Sequence, residues 1–279
     1  MSETQGKQRS AVVFGARNLG RVVIELLVGD GWAVTGAART QSTLDGVRAS
    51  GALALEADVT DPASVYGVLE QAAATHGGVD LMVNAASAYG GDRAGPFGGG
   101  PIADAAPDGF DSWAAAPARA AFSFLSAGGR FAIAQGRPST LVQVTGGSAR
   151  RAMPGRGLWA AGAFGVRAIS NAAALELRPR GIQVTLLIVD AGIQPLDGSS
   201  RPGVSPEALA DPHRIADAIL FLANQDARSA THELQLTPLA ENWTPLQVRS
   251  SPRRARAARD GRWAWCATAP SRAGRAPRR

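Results

Sequence analysis

Short apolar runs alternate along the chain with longer segments in which apolar residues recur every three or four positions. The short runs are typical of β-strands and cover residues 10–15, 32–39, 52–58, 79–87, 139–146 and 182–190, with a last candidate at 232–237. Because these runs are apolar nearly throughout, they indicate strands covered on both faces. The segments between them have helical periodicity, so we predict a doubly wound, Rossmann-type parallel α/β sheet in a single domain.

One of the predicted helices has clear local signals at its start. The segment 61–77 begins with Asp61 and Pro62, residues that favour the N-cap and the first turn of a helix. A shorter helix is predicted at 43–50, between the second and third strands. Connections this short place consecutive strands in one sheet.

The composition changes after Leu246, where the chain becomes rich in Arg, Ala and Pro without an amphipathic period. We therefore predict one domain at 1–245 and a disordered tail at 246–279. The net charge of +6 is concentrated in the tail, since residues 249–279 hold ten Arg and one Asp. The rest of the chain is mildly acidic, so no nucleic-acid partner is expected, unless the tail, with Trp263 and Trp265, binds one.

Several classes of protein are disfavoured by composition. The single cysteine, Cys266, permits no intrachain disulfide, which favours a reducing compartment such as the cytoplasm. Because the first ten residues are polar, we expect no signal peptide, and no apolar run approaches the roughly 18 residues of a membrane span. The three histidines, His76, His213 and His232, are scattered, so no metal site is expected.

The turn between the first strand and the first helix, FGARNLGRV, carries candidate phosphate-binding residues. Gly15 and Gly20 permit a tight turn and bring backbone N–H groups close to a phosphate at a helix N-terminus. Arg17 adds positive charge, and Asn18 is predicted to take a left-handed conformation, which Asn tolerates. Arg39 ends the second strand, where NAD-binding proteins have an acidic residue, so the charge favours NADP(H) over NAD. The alternative is that Arg39 is an ordinary surface arginine.

Further motifs, in order along residues 10–240, make the chain resemble the short-chain dehydrogenase/reductase family. RNLGR resembles that family's R-G-I-G-R turn, DLMVNAAS its D-x-L-V-N-N-A-G, and WAAGAFGVRAIS its Y-x-A-S-K-x-G-V-x-x-L-S. The resemblance implies an oxidoreductase of carbonyl or hydroxyl substrates that is a homo-oligomer, a dimer or tetramer. It also implies that the cofactor-binding set includes Leu19, Asp58, Val59, Asn84, Ala85 and Ala86.

The same resemblance shows that the proton-transfer residues are missing. Where the family has Asn, Ser, Tyr and Lys, this chain has Pro117, Gly146, Trp159 and Ala163. The indole N–H does not titrate, Gly and Ala have no polar side chain, and Pro is predicted to kink its helix. No other alignment of the sequence with the family supplies the Tyr and Lys, because the only lysine is Lys7 and the only tyrosines are Tyr66 and Tyr89.

Three interpretations remain open. Reduction could continue with a substitute donor, for which Tyr89 is the candidate among the groups at strand ends, Ser87, Thr145, Ser148 and Asp190. The protein could bind NADP(H) as a catalytically silent scaffold or regulator, with Trp159 filling the emptied pocket. It could also be a non-redox lyase or isomerase in which Arg150 or Arg151 stabilises an anion, although both arginines could equally be solvated.

Overall fold

Seven strands form one fully parallel sheet with helices on both faces. The computed structural model describes residues 8–87, 96–199 and 203–241. The strands are β1 (Ser10–Phe14), β2 (Ala33–Ala38), β3 (Leu53–Glu56), β4 (Leu81–Asn84), β5 (Ser139–Gly146), β6 (Ile182–Val189) and β7 (Glu233–Leu236). The main helices are α1 (Leu19–Gly29), α2 (Gln41–Ala49), α3 (Pro62–His76), α4 (Ala116–Gln135), α5 (Gly157–Leu177) and α6 (Pro212–Ala223). The predicted fold class is confirmed.

The strand order is β3-β2-β1-β4-β5-β6-β7. The chain therefore runs outward from β1 in one direction and returns to add β4 on the other side of β1. In an open parallel sheet, this reversal leaves a crevice at the carboxyl ends of the two strands, and ligands bind there.

Both faces of the strands are apolar because both faces are covered. Val13 and Val83 face one buried layer, formed with α1 and α6, whereas Val12 and Met82 face the opposite layer, formed with α3 and α4. Neighbouring residues of each strand therefore contribute to different cores, which explains the continuous apolar runs in the sequence.

Helix α3 starts and ends as its sequence predicts. The Asp61 carboxylate accepts a hydrogen bond from the Ala63 amide at 3.0 Å, and Pro62 is the first helical residue. Gly77 ends the helix in a left-handed conformation with φ 78°. Other boundaries differ from the predictions by a few residues, since α2 begins at Gln41 and β4 is confined to Leu81–Asn84.

The hydrogen-bond pattern changes just before Pro117, and the predicted kink of its helix stays a prediction. A π-helical turn, Asp111–Ala115, precedes α4, and Pro117 is the second residue of α4. The Ala116 amide donates to the Asp111 carbonyl, five residues back. Pro117 thus lies where the hydrogen-bond pattern changes from π to α, in a first turn that tolerates the missing N–H.

The described residues all belong to a compact unit that covers residues 1–242. The predicted tail, 246–279, lies outside the described residues, so its predicted disorder stays a prediction. No helix in the described ranges is both long and apolar enough to cross a membrane.

We expect His76 to make stability depend on pH. A hydrogen bond of 3.0 Å joins its Nε2 to the hydroxyl of Thr35, which is 0% exposed, and burial lowers the pKa of His76. Below about pH 6.5, the ordinary histidine value, the unfolded chain binds a proton that the folded protein still resists. The free energy of unfolding should therefore fall as the pH drops below that value.

Urea unfolding at pH 7.5 and 5.5 measures the effect, with His76→Gln as the variant that cannot titrate. The wild type should lose more stability between the two pH values than the variant does. Equal losses would contradict the prediction, because all other titrating groups are shared.

Candidate cofactor and active site

The turn between β1 and α1 is built by two glycines that lie against other backbone. Gly15 has φ 84°, and a Cβ at this position would overlap the backbone of Ala86, just after β4. A Cβ on Gly20 would overlap the carbonyl group of Gly15. Only glycine allows both approaches, so the turn lies deep in the crevice between β1 and β4, at the N-terminus of α1.

The predicted left-handed conformation of Asn18 is wrong. Asn18 has φ −101° and is the N-cap residue of α1, and every described residue with positive φ is a glycine. The turn is one residue shorter than the family pattern, so Asn18 immediately precedes the helix, where a cap residue keeps negative φ. Its side-chain amide instead donates to the Gln194 carbonyl at 3.4 Å, which connects the turn to the loop after β6.

Two candidate residues at the other end of the crevice influence each other. Burial acts to raise the pKa of Asp58, but hydrogen bonds from the Thr60 amide at 2.9 Å and hydroxyl at 2.8 Å, together with the charge of Arg39, lower it overall. Arg39 itself is exposed, and Val59 is buried beside Asp58. The ends of β2 and β3 therefore present one cation and one carboxylate close together.

The residues at the end of β4 have a structural part in the crevice. The Asn84 side chain is buried, donates to Gln143 Oε1 at 2.9 Å and accepts from the Ala86 amide at 3.1 Å. These bonds fix the strand end against β5, and they place Ala85 and Ala86 next to Gly15. Asn84 therefore shapes the crevice through the backbone.

The four positions that the resemblance aligns with the family's proton-transfer groups have apolar or small side chains. Gly146 ends β5, Pro117 is buried in α4, and Ala163 is buried in α5. The indole of Trp159 lies with its ring centroid 6.2 Å from that of Trp113. No proton donor or acceptor that titrates near neutral pH is present at these four positions.

A charged cluster lies at the carboxyl ends of β5, β6 and β7. The Asp190 side chain follows β6 and is 7% exposed; its Oδ2 accepts from Arg151 at 2.7 Å and from Gln235 at 3.2 Å. Arg151 is therefore not a solvated loop residue, and the interpretation that it is one was wrong. Arg150, its neighbour, is exposed. Asp190, proposed as a substitute donor, is instead the acceptor of an ion pair.

Gly147 makes room for this ion pair. A Cβ at Gly147 would overlap the Asp190 carboxylate, so the carboxylate occupies the space of the missing side chain. Sequence reasoning missed Gly147 and Gln235, because contact between the ends of three strands leaves no local signal.

Glu241 is a further carboxyl group that sequence reasoning missed. Burial and the charge of Asp190 raise its pKa, and the charges of Arg151 and Arg156 act in the opposite direction. No motif surrounds Glu241, which lies five residues beyond the end of β7. Of the other candidates, Ser87 is exposed, Thr145 and Ser148 are half-buried, and Tyr89 lies outside the described residues.

We predict that Gly147→Ala destabilises the protein by about 1–3 kcal/mol, because the new methyl group displaces the Asp190 carboxylate. Urea unfolding of Gly147→Ala, Asp190→Ala and the double variant measures the coupling between the two positions. Removing the carboxylate should relieve the overlap, so the double variant should be more stable than the sum of the two single changes implies. Gly29→Ala is the control, since a Cβ there has no atom within 4 Å. Additive single changes would contradict the prediction.

Comparison with known proteins gives the same architecture. A family model described as enoyl-(acyl carrier protein) reductase matches residues 15–234. A short-chain dehydrogenase/reductase of Hericium erinaceus, eriH, is 27% identical over 242 residues, which cover 79% of this chain and 92% of that protein.

Two solved structures illustrate the shared fold. An alcohol dehydrogenase from the archaeon Thermococcus sibiricus, complexed with 5-hydroxy-NADP, has a TM-score of 0.69 at 21% identity and covers 84% of this chain and 98% of its own. A 3-ketoacyl-(acyl-carrier-protein) reductase from Brucella melitensis, complexed with NADH, has a TM-score of 0.69 at 23% identity, with coverages of 82% and 97%. Together with the family model, which spans most of the seven-stranded sheet, these findings establish that the chain belongs to the short-chain dehydrogenase/reductase family.

Proposed function

We propose that this protein binds NADP(H) in the crevice between β1 and β4 and acts as an atypical oxidoreductase. The observation that carries the proposal is the contact of Gly15 with the backbone of Ala86, which only a residue without a Cβ permits and which sets the turn deep in the crevice at the N-terminus of α1. Backbone N–H groups of such a glycine turn at a helix N-terminus suit a pyrophosphate. The neighbours in complex with 5-hydroxy-NADP and with NADH support a dinucleotide.

The charge at the ends of β2 and β3, where we expect the adenosine to bind, favours NADP(H) over NAD. Arg39 is exposed at the end of β2, close enough to Asp58 to lower its pKa. A cation at this place attracts the 2′-phosphate of NADP(H), whereas NAD carries only a hydroxyl group there. Asp58 and Val59 would lie along the adenine, and Arg17 would face the pyrophosphate from the glycine turn.

The residues expected around the nicotinamide fit an ordinary oxidoreductase less well. A reduced nicotinamide supplies a hydride when bound, but the chain must still hold the substrate and supply a proton. Pro117, Gly146, Trp159 and Ala163 provide no such group, and general acid catalysis is typically worth about 10²–10⁴ in rate. We therefore propose slow reduction of ordinary carbonyl substrates.

The second candidate function, a catalytically silent NADP(H)-binding scaffold or regulator, is favoured by the same four replacements. The lyase or isomerase alternative has less support, because the Arg151 guanidinium is bonded to Asp190 at 2.7 Å. Titration with NADPH, followed by protein fluorescence and thermal shift, tests the cofactor proposal. NADPH oxidation with a panel of carbonyl compounds then separates an impaired enzyme from a silent one.

We predict that Arg39→Ala weakens NADPH binding by about tenfold or more, because a charge-assisted hydrogen bond to the phosphate is lost. NADH binding should change little, since NADH has no 2′-phosphate. Isothermal titration with both nucleotides measures the two dissociation constants. Arg48→Ala, at an exposed arginine of α2, is the matched control and should leave both constants unchanged. Equal weakening of NADPH and NADH by Arg39→Ala would refute a phosphate-specific role.

We also propose a homo-oligomer that associates through the outer face of α5. Phe164 and Leu175 are exposed on this helix, and Ala161, Ala168 and Ala172 are exposed between or beside them. The result is one apolar stripe of small and large residues that permits close helix packing. No partner is needed other than a second copy of the same stripe.

Phe164→Glu should convert the oligomer to a monomer, because it places two carboxylates at a symmetric apolar contact. Sedimentation velocity over a range of protein concentrations measures the change in mass. Leu196→Glu, on the loop after β6 and exposed to a similar degree, should retain the wild-type mass. A wild-type chain that sediments as a monomer at all concentrations would rule out the proposed association.

A further inference from the structure

We propose that the substrate side of this site binds a planar, conjugated carbonyl compound of the quinone type. The inference rests on the proposed NADP(H) binding, which supplies the hydride. It follows from two features of the described residues: an aromatic surface at the position of the missing proton donor, and the absence of a titratable group at the four family positions.

The aromatic surface is a cluster of Phe97, Trp113 and Trp159. The Phe97 ring lies 5.1 Å from Trp113 and 5.6 Å from Trp159, measured between centroids. Trp113 is buried, Trp159 is half-buried, and Phe97 is 48% exposed. Phe97 is therefore the exposed member of the cluster, and the edge and tilted contacts with the two tryptophans support its ring, on which a flat π-system can stack.

Glycines hold Phe97 in this position. Gly98, Gly99 and Gly100 all have positive φ, and a Cβ on Gly99 would lie 2.7 Å from Leu158 Cδ1. A bridge joins Gly100 to Arg156, at the N-cap of α5. The segment that carries Phe97 thus packs closely against the start of α5. These contacts fix the position of Phe97 in the cluster.

A quinone can be reduced without the proton donor that is missing at this site. Hydride addition to a saturated ketone forms an alkoxide, a base at least as strong as hydroxide, which must receive a proton as it forms. Addition of the same hydride to a quinone reduces it by two electrons to a hydroquinone anion. Its phenolic oxygen, with a pKa of about 10 for the conjugate acid, is stable enough to take its proton from water afterwards. The first reaction needs an enzymatic acid, and the second does not.

A cation lies over the ring of Phe97. The guanidinium of Arg156 lies 5.4 Å from the centroid of Phe97 and is exposed. It stabilises negative charge that develops on an acceptor stacked against the cluster. Arg151, by contrast, is bonded to Asp190.

Direct binding tests the inference without turnover. The full chain is titrated with 2,3-dimethyl-1,4-naphthoquinone, whose substituted ring does not add the thiol of Cys266, and tryptophan quenching is followed with and without NADP⁺, which cannot donate a hydride. The saturated bicyclic ketone 1-decalone, of similar size but not planar, is titrated by calorimetry. We expect saturable quinone binding that Phe97→Leu weakens about threefold to tenfold and Phe221→Leu, at a phenylalanine 57% exposed on α6, leaves unchanged. The decalone should bind at least tenfold more weakly.

Activity provides the second readout. NADPH oxidation should be faster with the quinone than with the decalone and should persist in Glu241→Gln. Faster reduction of the decalone, or loss of quinone reduction in Glu241→Gln, would overturn the inference in favour of an enzymatic acid. NADPH binding without saturable quinone binding overturns this inference alone. Failure of NADPH itself to bind overturns the cofactor proposal, and the inference falls with it.

Discussion

The close approach of backbone to backbone at the end of β1 is the constraint on which the candidate site depends. Gly15 lies against Ala86 and Gly20 against Gly15, so the glycine turn, the start of α1 and the end of β4 form one packed unit. A single Cβ at either glycine forces these elements apart. The crevice between β1 and β4 has its shape because Gly15 and Gly20 have no Cβ atom.

The two halves of the crevice depend on different parts of the chain. The end that we propose to bind phosphate is built from main-chain groups, which survive substitutions of side chains, so it resembles the family despite a turn one residue shorter. The catalytic end depends in the family on side-chain hydroxyl, phenol, amide and amine groups. By the resemblance, the corresponding residues here are Gly146, Trp159, Pro117 and Ala163. Binding geometry and proton chemistry can therefore diverge within one fold, since they are carried by separate groups.

Features with local signals were predictable from the sequence. The bounds of β5 at 139–146 and the Asp61 cap of α3 match the structure because strand burial and capping depend on adjacent residues. The conformation of Asn18 was mispredicted because the shortened turn changed its role from turn residue to N-cap. The bond between Arg151 and Asp190 joins residues 39 apart, so no window along the chain reveals it.

The buried ion pair depends on Gly147, the neighbour of the position that aligns with the family serine. A β-carbon at Gly147 would occupy the place of the Asp190 carboxylate, whereas one at Gly146 would meet only the Val189 carbonyl oxygen at 3.9 Å. Hydrogen bonds from Arg151 and Gln235 replace the bonds to water that the Asp190 carboxylate loses on burial. A buried charge needs such partners. The Arg151 guanidinium is thus bound within the protein. The exposed Arg156 lies over the ring of Phe97, so in the proposed function charge stabilisation of a flat acceptor takes the place of the proton transfer that the four aligned positions do not supply.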